Sequence, residues 1–145
     1  MLLWLCLAAT LANVQVVRVS DGDTITVQAA DSAEPVRVRL AQIDAPEKKQ
    51  EYGPESKAAL TALLSGHSVT VDYEKKDRYG RIIGQVTADG VDVNKALVEG
   101  GWAWVYRDYV HTVAYEHAEE RARANKVGLW ANPSPTPPWQ YRRDH

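Results

Sequence analysis

The chain of 145 residues holds a single cysteine, Cys6, and it lies in an uncharged leader segment. Beyond that segment there is no thiol for a disulfide, a thiolate zinc site or a cysteine nucleophile. An excess of either charge is also missing. Seventeen Lys and Arg against nineteen Asp and Glu leave a formal charge of -2, so no global field draws in a polyanion. Such a partner would need basic residues gathered on one face. The uncharged leader falls short of the about 20 apolar residues that a membrane-spanning helix needs. The four histidines, His67, His111, His117 and His145, share no metal-ligand spacing and read as surface residues. Internal repeats and a second domain are absent from the pattern. What remains, 45% apolar and 25% charged, is the ordinary make-up of one globular domain with one core.

Residues 1–12 carry no charge and fit the apolar region of a secretory signal, with Thr10-Leu11-Ala12 as a small-residue cleavage site. A basic n-region is missing, and Trp4-Leu5 before Cys6 do not make a lipoprotein box. The other reading of this segment is a first strand of the domain. Removal of the leader leaves a cysteine-free chain suited to an oxidising compartment, which predicts a secreted or periplasmic protein; tethering to the membrane by an uncleaved leader is the lesser alternative. The chain then divides into the leader 1–12, a domain over 13–131 and a Pro/Trp-rich tail over 132–145.

Strand signals run from Val14 to Val19 and from Thr24 to Val27, with a turn at Ser20–Asp23 between them. Pro35 to Leu40 alternates apolar and charged residues, placing Val36, Val38 and Leu40 on one face and Arg37 and Arg39 on the other. Helix signals begin at Gly53-Pro54-Glu55, continue through Leu60 and Leu64, and stop at Gly66. Two further strands are expected at 68–73 and 82–87, joined by the charged loop 74–81. A short helix is expected from Val91 to Val98 and a longer one from about Thr112 to Asn125. The proline-rich stretch Asn132–Trp139 reads as extended. Short strands first, with helices inserted and appended, suggest an α+β fold built on a small OB-like barrel.

Three segments carry the chemistry: Asp21-Gly22-Asp23-Thr24, Arg39 to Glu47 with Asp44-Ala45-Pro46 inside it, and Arg78-Tyr79-Gly80-Arg81. Asp23, and Asp44 at the end of an expected strand from Arg37 to Ile43 and just before a proline, can converge on one hard cation, leaving waters and a carbonyl to complete a calcium shell. Glu47 is a carboxylate suited to handling a water. Arg39 and Arg81 can grip phosphate oxygens and hold the charge of a five-coordinate transition state. Each segment alone is commonplace, since Asp-Gly-Asp is usually a turn in which glycine supplies unusual dihedral angles. In combination they are the equipment for attacking a phosphodiester. Trp102, Trp104, Tyr106 and Tyr109 form an aromatic stretch divided between core packing and base stacking, and Trp130 and Trp139 are expected to pin the tail to the body.

These motifs, together with Tyr52-Gly-Pro-Glu55, Asp77-Arg-Tyr-Gly-Arg81, Val93-Asn-Lys-Ala-Leu97 and Gly128-Leu-Trp130, resemble the staphylococcal nuclease (thermonuclease) family from about Val14 to Trp130. The resemblance implies a five-stranded OB-fold barrel with three helices. It also implies a calcium-dependent endonuclease, monomeric and without a stable protein partner, that cuts DNA and RNA to leave 5'-hydroxyl and 3'-phosphate ends. Carried over by position, Asp23, Asp44 and the backbone carbonyl of Ala45 bind calcium, and Asp21 acts in the outer shell. Alanine stands at position 45 where the family usually has threonine, which a main-chain ligand tolerates. Arg39 and Arg81 hold the scissile phosphate and Glu47 is the general base. Tyr79 lies near a phosphate and Tyr109 beside the base, while Arg107 replaces a second tyrosine and bears on base preference. The competing class is a non-catalytic OB-fold module that binds nucleic acid or protein; Asp23, Asp44, Glu47, Arg39 and Arg81 all being present speaks against it.

Overall fold

A computed structural model describes residues 8–108 and 112–145. In chain order its elements are β1 (Ala9–Asp21), β2 (Thr24–Gln28), β3 (Val36–Leu40), β4 (Ile43–Asp44), α1 (Gly53–Leu64), β5 (Val69–Lys76), β6 (Ile82–Ala88), β7 (Val91–Asp92), α2 (Val93–Glu99), β8 (Trp104–Val105), α3 (Val113–Ala124), a 3-10 turn (Gly128–Ala131) and α4 (Pro138–Asp144). Antiparallel pairing gives the order β3-β2-β1-β5-β6. The sheet closes on itself where β3 meets β6 in parallel, pairing Val38 with Ile82, Arg39 with Ile83 and Leu40 with Gly84. The result is the closed five-stranded barrel of an α+β, OB-type domain. No helix among the described residues is long and apolar enough to cross a membrane.

The barrel interior follows the two-residue period of its strands. Ile82, Gly84, Val86 and Ala88 of β6 point inward, and they meet Ile25 and Val27 of β2, Val38 and Leu40 of β3, and Val69 and Val71 of β5. Leu60 and Leu64 of α1, Leu97 and Val98 of α2, and Tyr115 and Ala118 of α3 extend the same core outside the sheet. Asn94, fully buried on α2, braces the closure: its amide nitrogen donates to Ala41 O (3.0 Å) and Gly84 O (3.1 Å), and its oxygen accepts from Val86 N (3.1 Å). Those main-chain groups lie where β3 departs from β6; Asn94 supplies a partner to Ala41 O and Val86 N, while Gly84 O also accepts from Ala41 N at 2.8 Å.

The structure departs from the sequence reading in four places. β3 ends at Leu40, so Asp44 does not terminate one continuous strand. The chain reverses at Gln42 (φ 71°), and Ile43–Asp44 pairs instead with Trp104–Val105 in a separate two-stranded sheet. The reversal is held by Arg39, whose Nη1 donates to the carbonyls of Leu40 (2.7 Å) and Ile43 (2.9 Å). α2 starts two residues later than expected because Asp92 caps it, accepting from Lys95 N at 3.0 Å. A fourth helix, α4, follows the prolines, making four helices where three were expected. Pro138 occupies its first turn, where no N–H is required, and no further proline interrupts it. Finally, Gly22 is not at positive φ; its missing side chain is what the turn uses, as described below. Of the expected leader, residues 1–7 lie outside the described residues, while 9–12 continue β1, with Ala9 opposite Tyr73 and Leu11 opposite Val71.

Candidate active site

Asp21, Asp23, Arg39, Asp44, Glu47 and Arg81, six side chains nominated from three distant segments, line one open cleft of about 440 Å³. Tyr79 stands at its edge, and Asp77, Arg78, Tyr106 and Arg142 complete the wall. Tyr109 lies outside the described residues.

Close packing of three loops brings the carboxylates together. A Cβ on Gly22 would lie 2.8 Å from the Cβ atoms of both Ala45 and Ser56, so the β1–β2 turn can sit against the segment after β4 only because residue 22 lacks a side chain. Asp23 then accepts a hydrogen bond from Ala45 N (2.8 Å) and another from the Thr24 hydroxyl (3.0 Å). Arg39, only 5% exposed, lies beneath: its Nη2 is 3.4 Å from Asp23 Oδ2 and 3.3 Å from Asp44 Oδ1. It faces the polar side of β3 as its alternation predicts, but loops cover it, and it braces the fold as well as the site.

Three carboxylates in this space cannot all ionise freely. Burial, reinforced by the charge of Asp23, pushes Asp21 up to about 7. Burial likewise pushes Asp44 up to about 6, against the pull of hydrogen bonds from Arg142. Burial would raise Asp23 too, but the Arg39 guanidinium and hydrogen bonds from Asp21, Ala45 N and Thr24 outweigh it and hold Asp23 below the usual carboxylate range.

Across the cleft, Asp77 shapes the loop that carries Arg81. Its carboxylate accepts from Tyr79 N (2.9 Å), Arg81 N (3.0 Å) and Arg81 Nε (2.7 Å), and its own N–H donates to Arg81 O (2.8 Å). Gly80, at φ 79°, supplies the left-handed residue this tight loop needs. Arg81 therefore presents its guanidinium with one edge fixed. Tyr79 is 57% exposed, with the guanidiniums of Arg78 and Arg81 5.0 Å and 5.4 Å from its ring centre. Glu47 is half-buried, and its N–H donates to Gln50 Oε1 (3.0 Å).

Sequence reasoning missed Arg142. From α4 its Nη2 donates to Asp44 Oδ2 (2.7 Å), and its Nη1 to Asp44 Oδ1 (3.1 Å) and Glu47 Oε1 (2.6 Å). Trp139 sets the helix in place, edge-on to Trp104 (5.4 Å) and stacked with Tyr106 (6.0 Å), while Trp130 packs on Trp104 at 4.4 Å. Trp139 thus pins the tail as expected, while Trp130 packs on Trp104 within the domain and helps form the surface Trp139 rests on. The signal available was a basic pair, Arg142-Arg143, just after an aromatic anchor; nothing in the spacing tied it to Asp44.

The donor set fits a hard cation in kind: the buried carboxylates of Asp23 and Asp44 both approach Arg39 Nη2, at 3.4 Å and 3.3 Å, so their oxygens lie close together on one wall of the cleft. Among the described residues no group of three His, Cys, Asp or Glu forms a metal cluster by itself, so two carboxylates would need main-chain and water oxygens beside them.

Residues 37–132 match the family described as staphylococcal nuclease homologue. The chain belongs to the staphylococcal nuclease family. It is 50% identical over 129 residues to an uncharacterized endonuclease of Escherichia coli, covering 88% of this chain and 83% of that one. It is 41% identical to an uncharacterized endonuclease of Haemophilus influenzae, covering 89% and 72%, and 38% identical to a micrococcal nuclease of Shigella flexneri, covering 89% and 79%. The staphylococcal nuclease match spans every nominated site residue except Asp21 and Asp23, and it ends before α4.

Proposed function

We propose that the protein is a calcium-dependent endonuclease that hydrolyses phosphodiester bonds in DNA and RNA, leaving 5'-hydroxyl and 3'-phosphate ends. The observation that carries this reading is the convergence of Asp23, Asp44, Glu47, Arg39 and Arg81 on one cleft. Asp23, Asp44 and the Ala45 carbonyl would hold calcium, with Asp21 behind them, and the bound ion would supply positive charge against the phosphate. Arg81, steadied by Asp77, grips non-bridging oxygens of the scissile phosphate, and Arg39 adds its charge from below. Glu47 takes a proton from a water that attacks phosphorus in line. The new P–O bond forms as the bond to the 5'-oxygen breaks, and that oxygen leaves with a proton from solvent. Tyr79 borders the phosphate path and Tyr109 the base. The enzyme acts as a monomer after export to the periplasm or medium, which N-terminal sequencing of the mature protein and a sizing column would check.

The deciding experiment incubates the purified chain with supercoiled plasmid and with RNA in calcium, magnesium or chelator, beside Arg81→Ala. Cutting that requires calcium and falls roughly 100- to 1,000-fold in the variant is expected. Cutting undiminished by chelator would overturn the metal dependence. Binding of both polymers without cutting under any condition would leave a nucleic-acid-binding module in place of an enzyme.

A further inference from the structure

We propose that α4 is a built-in inhibitor whose Arg142 guanidinium competes with the metal ion for Asp44 and with the attacking water for Glu47. The inference rests on the role proposed above for those two carboxylates and goes beyond it. Both oxygens of Asp44 accept from Arg142, at 2.7 Å and 3.1 Å, and Glu47 Oε1 accepts from it at 2.6 Å. A carboxylate that gives both oxygens to a guanidinium has little left for a dication, and two cations on one carboxylate repel. A carboxylate in a charge-assisted hydrogen bond is likewise a poorer base.

The segment holding Arg142 is built as a strap. Asn132 Nδ2 donates to Glu51 Oε2 (3.2 Å), Gln50 Nε2 donates to Thr136 O (2.7 Å), and Trp139 packs on Trp104 and Tyr106. Gln50 also holds the Glu47 N–H, so the strap and the proposed base share one anchor. The strap stands outside the barrel core, to which none of residues 132–145 contributes, and its main apolar contact is Trp139 against the smaller cluster of Trp104, Ala122, Leu129 and Trp130. Release therefore leaves the barrel core intact. Arg142 is 38% exposed while the Asp44 side chain it holds is 1% exposed, so calcium or a polyanion would have to draw the guanidinium off from its solvent side.

The test is calorimetric calcium binding to the full chain, without nucleic acid, for wild type, Arg142→Ala, Arg142→Lys, Arg143→Ala and Asp44→Asn. Arg143 bonds to Gln140 on its own helix and serves as the charge control. Arg142→Ala should bind calcium about tenfold more tightly than wild type, with Arg142→Lys in between and Arg143→Ala nearly unchanged. Binding by wild type that is equally tight in Arg142→Ala overturns the competition and leaves the proposed function standing. Equal tightening by Arg143→Ala overturns it too, in favour of a diffuse charge effect. If neither wild type nor Arg142→Ala binds calcium, or if Asp44→Asn binds it as well as wild type, the functional reading itself fails.

Discussion

Replacing Gly22 by alanine tests how the site is assembled. The added methyl would stand 2.8 Å from the Cβ atoms of Ala45 and Ser56, and 3.3 Å from the Ser56 carbonyl carbon. Carbon atoms prefer 3.5–4.0 Å, so both neighbours must retreat by several tenths of an ångström. Ser56 is fully buried, and its hydroxyl donates to Trp102 O at 2.7 Å, which limits its freedom to move. Overpacking of this kind costs about 2 kcal/mol, which in a domain of this size lowers Tm by roughly 4–8 °C. The same displacement separates Ala45 N from Asp23 Oδ2, now 2.8 Å apart, so calcium binding should weaken along with stability. Differential scanning calorimetry reads the first effect and a calcium titration the second. Adding Ala45→Gly removes one of the two close contacts and should recover about half of the loss in Tm. A Gly22→Ala variant melting within about 1 °C of wild type would refute the claim that the turn is pressed against this segment.

Three further outcomes follow from the same geometry. Asp77→Ala should lower kcat roughly tenfold with little change in Tm, because it frees Arg81 without opening the core; an unchanged kcat would show that Arg81 needs no such support. Arg39→Lys keeps the charge but loses the fork that serves two carbonyls and two carboxylates, so it should cost about 2–3 kcal/mol in stability and most of the activity, as read by denaturant unfolding and single-turnover assay. The carboxyls of Asp21 and Asp44 are raised to about 7 and about 6, so the folded chain keeps protons that the unfolded chain has already released. Stability of the metal-free protein should therefore fall as pH rises from about 4 to about 7, and calcium should reverse that fall while releasing protons; a metal-free Tm that climbs across this interval would contradict it.

The strands, and the segments whose side chains line the cleft, were legible because both are marked by short-range pattern. Alternation in 36–40 and 82–88 sets which side chains enter the barrel, and the three acidic and basic segments flank those strands directly. What escaped depends on contacts between remote residues. Arg39 looked like a surface arginine available to substrate, yet loops brought over it make it a brace for the Gln42 reversal. Gly22 looked like a residue chosen for dihedral freedom, and only the positions of Ala45 and Ser56 reveal that it is chosen for size. Arg142 was invisible for the same reason: a helix after three prolines has no local signal of where it will dock, and Trp139 finds its partners on β8 and beyond it.

The parallel seam between β3 and β6 also governs when the chain first becomes chemically competent. Arg39 belongs to one edge of that seam and Arg81 immediately precedes the other, and they become neighbours only when distant stretches of polypeptide zip together. Pairings so far apart in sequence are costly to initiate and tend to form late. A nascent or partly unravelled molecule thus carries all of these side chains without the cleft that gathers them. Under the function proposed above, completion of the barrel would double as a safety catch, holding back any cutting until the last strands have joined.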